Sequence, residues 1–377
     1  MYGMKILNLI PSGDYCGWGV CGKNLEREFR SYPMAVNEEH CDVILTPVIN
    51  NEWRYPPEHA KTIMTAKQRG KKVVGYGFHE FPEAGSRDII HLYQNYDGLA
   101  CGSSWMTDWV QRCLREVNLL KIPVKTVLQG VDKSIFYFKP TEKPDILKGK
   151  YVVASAGKFE YRKGQDIVIE VFRRFLKQVP NAVLTAAWDN PWPETLLSMK
   201  ASKLMKMEDL KLIAVEDQIY IAGIDVDLIP AENQLMWRMG SNEDMANFYR
   251  AADVAIFTNR AEAGNNNCLV EAGACGVPIC GNDDTGHCDI VDLLRKSDSR
   301  HKSHYKSGRP WVESEADADV DGWSEPCVDQ MLSNLMYVYL SKPTDAEKQK
   351  ISNSLHNMQW ENTAKSLYNL CMQVAVQ

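Results

Sequence analysis

Residues 151–176 read YVVASAGKFEYRKGQDIVIEVFRRFL, and this stretch decides the fold. Its opening, residues 151–155, is a short apolar run of the kind that forms a buried strand. Further on, Val168, Val171, Phe172, Phe175, Leu176 and Val179 recur at i, i+3 and i+4, which puts them on one face of a helix. A second apolar run at 182–187 completes a strand–helix–strand unit, the building block of parallel sheets. Towards the C terminus, residues 219–222, 253–257 and 277–280 repeat the strand pattern, with helices expected before and after Glu271. Towards the N terminus, residues 5–10, 41–46, 73–76 and 124–128 do the same, separated by charged helical stretches. Between the halves, KPTEKPDILKGK at 139–150 carries Pro140, Pro144 and Gly149, which interrupt any regular element. The expectation is an α/β protein of two Rossmann-like parallel-sheet domains, 1–148 and 149–355.

Two stretches depart from this alternation. Residues 191–218 begin with a Pro-Trp-Pro turn and continue as MKASKLMKMEDLKL, expected to be a helical insertion. Residues 295–325 pass from the basic RKSDSRHKSHYKSGR to the acidic ESEADADVD, a composition typical of a surface loop.

Composition excludes several classes. With 377 residues, 45% hydrophobic and 24% charged, the chain can fill two cores and is not of disordered type. The 43 Lys and Arg against 49 Asp and Glu leave a net charge of -6, which disfavours a nucleic-acid partner. Eleven cysteines, an odd number with no leader-like start, point to reduced thiols and a cytoplasmic location. No metal pattern stands out: Asp317, Asp319, Asp321 and Gly322 resemble a calcium loop, but Val328 replaces the Glu required at position twelve. No apolar run approaches the roughly 20 residues of a membrane span. The basic Lys61, Lys67, Arg69, Lys71 and Lys72 leave room for peripheral contact with anionic lipid.

Three segments carry the candidate chemistry. PSGDYCGWGVCG at 11–22 holds Gly13, Gly17, Gly19 and Gly22 ahead of a helix expected around residues 24–30. Gly17, Gly19 and Gly22 spell GxGxxG, but too late after the strand and without a following ribose-binding acid, so a dinucleotide site is disfavoured. In the deciding stretch, Lys158 and Lys163 flank a helix start at Gly164, where two cations and exposed amides suit a diphosphate, although solvated surface lysines would look the same. In TNRAEAGNNNCLVEAGACGVPIC at 258–280, Glu262 and Glu271 bracket a Gly/Asn-rich loop able to approach a polyhydroxyl ligand.

Several segments, in order, resemble the retaining group 1, family 4 nucleotide-sugar glycosyltransferases of GT-B architecture, with two Rossmann-like domains facing across a cleft. They are YDGLACGSSWMTDWV, VLQGVDKSIFYF, GKFEYRKGQDIVIEVF, YRAADVAIFTNRAEAGNNNCLVEAGACGVPIC and WENTAKSLYNL, spread between about residues 5 and 370. The resemblance implies transfer of a hexosyl unit from a UDP- or GDP-linked sugar to a hydroxyl-bearing glycan, lipid or small molecule, with no cofactor and no metal. It implies that Lys158, at a usual arginine, and Lys163 bind the donor diphosphate, with Lys163 stabilising the leaving group. Glu271 matches the ribose-binding acid. The sugar-facing acid normally has seven residues between it and that position; here eight separate Glu262 from Glu271, so one residue must be absorbed in the loop, or Ala263 takes the place. VVGYGFHEFPE puts His79 beside the donor sugar, and GNDDTGHCD supplies Thr285, at a usual glycine, with Gly286 and Asp289. Gly17, Gly19 and Gly264 complete the implied donor contacts. Residues 356–377 are implied to form a helix that crosses back to the first domain, with Trp360 as a packing anchor. An epimerase of the same fold and a non-catalytic sugar-nucleotide-binding or scaffold protein are the alternatives.

Overall fold

The computed structural model describes residues 4–13, 16–48, 57–78, 80, 95–116, 121–215, 218–297, 301–304, 319–355 and 357–377. The chain divides into two compact units, one of Met1–Asp132, Ala263–Asn267 and Asn357–Gln377, the other of Lys133–Glu262 and Cys268–His356.

The first unit is a parallel sheet of β1 (Ile6–Asn8), β2 (Val43–Pro47), β3 (Lys72–Gly77), β4 (Gly98–Cys101) and β5 (Val124–Thr126), in the order 1-2-3-4-5. The central strands are buried on both faces, which is why they read as continuous apolar runs. β4, the short GLAC, was not expected as a strand; its small residues give little hydrophobic signal. Helix Ser104–Glu116 buries Met106, Trp109, Val110, Cys113 and Leu114, one stripe at helical spacing. Helix Trp360–Ala375 packs in this unit, where Trp360, Ala364, Leu367, Leu370, Cys371 and Val374 share a core with Ile6, Leu25, Leu45 and Val74.

The second unit centres on β6 (Tyr151–Lys158), flanked by β7 (Ala182–Asn190) on one side and β11 (Val254–Phe257) on the other. β12 (Ile279–Asn282) and β13 (Leu294–Ser297) continue beyond β11, all parallel. The chain thus leaves β6 in one direction and returns on its other side, so the reversal of strand order falls between β6 and β11. In open α/β sheets that switch point, at the carboxyl ends of the strands, is where ligands bind.

Helix Gln165–Leu176 is buried almost all round, including Gln165, Asp166 and Glu170, with helix Val328–Ser341 packed against it and against β11, β12 and β13. Its sequence shows only the apolar stripe; the buried acids are legible once their arginine partners are placed.

Three expectations require correction. The sheet is not wholly parallel: β8 (Leu210–Val215) and β9 (Gln218–Ile224) form an antiparallel hairpin on β7, while β10 (Gln234–Met236) pairs with β7 in parallel. The expected helical insertion contains only short turns at Pro193–Leu196, Leu197–Ala201 and Met207–Asp209 before β8 begins. The Lys and Met spacing there resembled a helix, yet the apolar, partly β-branched run LKLIAV pairs as a strand once β9 offers an edge. Part of the 295–325 loop is also regular, since β13 extends the sheet and β14 (His301–His304) pairs with β15 (Asp319–Glu325).

Candidate active site

The site is built at the carboxyl ends of β6 and β11. Past Lys158, Glu160 is extended (φ -158°, ψ 156°), a short 3-10 turn spans Tyr161–Lys163, and Gly164 adopts the left-handed conformation (φ 71°) that starts helix Gln165–Leu176. Glycine is required twice over at 164. A side chain there would be strained, and a Cβ would lie 2.0 Å from the Thr258 carbonyl oxygen, just beyond β11. The Thr258 hydroxyl donates to the Gly164 carbonyl at 2.6 Å, so the two strand ends are stitched together.

Five charged side chains then form a chain of alternating sign. Lys158 Nζ lies 2.8 Å from Glu160 Oε2, while Arg162 joins Glu160 Oε1 at 2.6 Å to Glu262 Oε2 at 3.1 Å. Lys163 Nζ closes on Glu262 Oε1 at 2.5 Å. Asn259 also donates to Oε1, and the Ala261 carbonyl accepts from Arg162 at 2.8 Å. Lys158 additionally lies over the Trp192 ring, 4.7 Å from its centre. Burial opposes ionisation of Glu160, but Lys158 and Arg162 outweigh it and hold the carboxyl down at about 2. Glu262 behaves alike: burial raises its pKa, Lys163 and Arg162 lower it more, and the net shift is downward. Three cations face two carboxylates, leaving one positive charge at a strand end.

Thr285 and Gly286 fix the backbone of Glu262. The Glu262 amide donates to Thr285 Oγ1 at 3.0 Å, and the Gly286 amide donates to the Glu262 carbonyl at 2.7 Å. Thr285 has φ 55°, a conformation hard for a β-branched residue. That explains the glycine usual at this position in the resembled family. His287, fully buried behind Glu262, is pushed down to about 4 by burial, so its ring is neutral near pH 7.

Glu271 differs. It lies on helix Asn267–Ala274, half-buried, and among the described residues no cation or hydrogen-bond donor meets its carboxylate. Burial alone pushes it up to about 8. Between Glu262 and that helix Asn266 turns left-handed (φ 54°), a conformation Asn tolerates. The Glu262 carboxylate is the one that reaches Lys163. Ala263 belongs to a core with Val48 and Met106.

Other expected residues fall elsewhere. His79 lies outside the described residues. Gly17, Gly19 and Gly22 are not in a loop ahead of a helix; helix Cys16–Phe29 already contains them. Gly22 is there for packing, since a Cβ would lie 1.9 Å from the Pro11 carbonyl oxygen, and Gly19 lies against Gly13, whereas Gly17 is open. Gly264 abuts Phe78 in the first unit. Glu160, Arg162, Asn259 and His287 went unnoticed in the sequence. The signal for the first two was present: Lys158, Glu160 and Arg162 alternate in charge at a spacing of two, which an extended segment brings to one side. Among the described residues no group of three or more His, Cys, Asp or Glu could hold a metal ion.

Residues 150–298 match the family model described as Glycosyl transferases group 1. That segment belongs to the group 1 glycosyl transferases. It contains every charged residue of the site just described, from Lys158 to Glu271. Solved structures similar to this chain include sucrose-phosphate synthase from Thermosynechococcus elongatus, at 13% identity and TM-score 0.60 over 99% of this chain and 100% of that one. Anabaena HepE in complex with UDP-glucose matches at 13% and 0.60 over 98% and 100%. The N-terminal domain of Candida albicans trehalose-6-phosphate phosphatase matches at 12% and 0.60 over 99% and 97%. At such identities the likeness is one of fold: the expected two-domain α/β architecture is shared along nearly the whole chain. No curated protein matches it.

Proposed function

We propose that the protein is a retaining glycosyltransferase that moves a hexosyl unit from a UDP- or GDP-linked sugar to a hydroxyl acceptor. The observation that carries this reading is a contrast: a net-positive cluster ending in Lys158 and Lys163 at the β6–β11 switch point, and an acid, Glu271 on the helix that follows β11, that meets no donor among the described residues. A nucleoside-diphosphate sugar supplies both complements, two phosphates for the lysines and ribose hydroxyls for the carboxylate. HepE, of like fold, binds UDP-glucose.

In this reading, Lys158 and Lys163 stabilise the charge that develops on the departing diphosphate, where preorganised electrostatics contribute most. The departing phosphate takes the acceptor's proton on the face it leaves, which retains configuration and requires no protein nucleophile. Glu262 and His79 position the sugar, with Glu271 on the ribose. Thr285 acts on Glu262 through its hydroxyl rather than on the phosphate directly, and Gly286 holds the Glu262 carbonyl.

The acceptor's class is open among glycan, lipid and small molecule, and the reaction is placed in the cytoplasm. For peripheral membrane contact the support is thin. Lys67 and Lys72 face Asp97 at 3.8 Å, Arg69 faces Glu38 at 3.6 Å, and Lys71 donates to the Cys41 carbonyl at 2.5 Å, so the basic segment spends its charge within its own unit.

The test is a panel of nucleotide sugars with and without hydroxyl acceptors, read by NMR of the product's anomeric configuration. A glycoside formed only with an acceptor supports the proposal. Acceptor-independent conversion of the sugar would make the protein an epimerase, and tight binding with no turnover a binding protein.

A further inference from the structure

Both lysines assigned to the diphosphate are already paired within the protein, Lys158 with Glu160 and Lys163 with Glu262. Both acids are deeply buried, at 6% and 4% exposure. A lysine that swings to a phosphate leaves its glutamate behind, and a buried carboxylate without a cation is costly. One charge can stay. The Arg162 guanidinium, itself 6% exposed, touches both acids through separate nitrogens, and its Nη1 is also tied to the Ala261 carbonyl.

Resting on the donor reading above, we infer that Arg162 is a positioning residue that compensates Glu160 and Glu262 together and so frees Lys158 and Lys163 for the donor's diphosphate. The charges run + − + − + along Lys158, Glu160, Arg162, Glu262 and Lys163. With the diphosphate bound, the three central groups remain as − + −, each acid still paired. Lysine could not do this as well, since a single ammonium lacks the fork that addresses two carboxylates at once. Without Arg162, Lys158 is the one cation left in direct contact with Glu160 among the described residues, and Lys163 with Glu262, so each lysine stays on its glutamate. Arg162 touches no substrate; it sets how readily the lysines are given up.

The experiment is calorimetric titration of the full chain with UDP and with GDP, alongside thermal melting to show that each variant is folded. Whichever nucleotide the parent binds, Arg162→Gln should weaken it by about tenfold or more, the equivalent of one decade in Kd. Adding Glu160→Gln to that variant removes one acid left without its arginine and should bring affinity back to within about threefold of the parent. Arg162→Lys, which keeps a cation between the acids, should fall between the two. Unchanged affinity in a folded Arg162→Gln overturns the inference, as does a loss that the second substitution fails to reverse. Where Arg162→Gln does not fold, Arg162→Lys decides: a loss there beyond about tenfold overturns it, a smaller loss supports it. If the parent itself binds neither nucleotide, the donor reading falls, and this inference with it.

Discussion

Glu262 and Glu271 stand nine positions apart in one segment and are held in opposite ways. Glu262 is enclosed by Arg162, Lys163 and Asn259, and its carboxyl sits below the usual range. Glu271 has no such company, and burial alone lifts it to about 8. A carboxylate that meets its donors within the protein is a fixed element of the site. One that meets none is a receptor for donors brought from outside. The contrast divides the labour of the loop: Glu262 belongs to a preassembled charge network, and Glu271 waits for hydroxyls.

The largest expected effect comes from removing the cation at the exposed end of that network. Lys163→Ala should lower turnover by about 10²- to 10³-fold, the usual loss when one preorganised charge at a leaving group is deleted. Turnover within twofold of the parent would remove Lys163 from the chemistry. Next, Glu262→Gln keeps shape but takes the shared anion from Arg162 and Lys163. It should cost about 2 kcal/mol of stability, the scale of a charged hydrogen bond, and slow transfer by about tenfold or more. Chemical denaturation and steady-state kinetics read the two effects separately.

Glu271 should respond to pH in the opposite sense to Glu262. Its folded pKa is raised, so the proton is held more tightly in the folded chain than in the unfolded one. The stability it contributes is present in full below about pH 4.5 and is lost as pH rises through about 8. Glu262, with its folded value lowered, contributes stability above the ordinary carboxylate range and loses it as pH falls. Melting curves of the parent between pH 5 and 9 should therefore slope downward by at most about 1.4 kcal/mol per pH unit from this group, and Glu271→Gln should flatten that slope. An unaltered slope would mean the carboxyl is already ionised and partnered. The same substitution should weaken nucleotide-sugar binding by about tenfold, with the parent binding more tightly as pH rises to 8, because hydroxyl donors prefer the ionised form.

Sequence reasoning reached the elements whose signal is local. The run 151–176 shows β6, its turn and its helix, because apolar period and glycine position are written in neighbouring residues. The stretch 210–215 misled, since its strand is formed by pairing with β9, which in turn pairs with β7, contacts that no periodicity carries. The same holds within the site. Lys163, Glu262 and Glu271 could be named from composition and spacing, but the pairing of Lys163 with Glu262 could not, because it joins residues 99 positions apart.

The smallest effect tests how the network is mounted. Thr285 sits at φ 55° with a β-branched side chain, at a cost of about 1 kcal/mol or more, while its hydroxyl accepts from the Glu262 amide. Thr285→Gly relieves the first and removes the second, a hydrogen bond of about 1 kcal/mol, so net stability should change by less than about 1 kcal/mol. Activity should not be so balanced. Without the hydroxyl, one of the two hydrogen bonds fixing the Glu262 backbone is gone, and turnover should fall by a few fold while Tm stays nearly constant. Because Glu271 takes no part in that mounting, nucleotide affinity should be unchanged. Thr285→Ser, which keeps the oxygen and removes the branch, should restore turnover. A Thr285→Gly enzyme as active as the parent would show that the arginine and lysine alone suffice to place Glu262, and that the strained threonine serves the loop rather than the site.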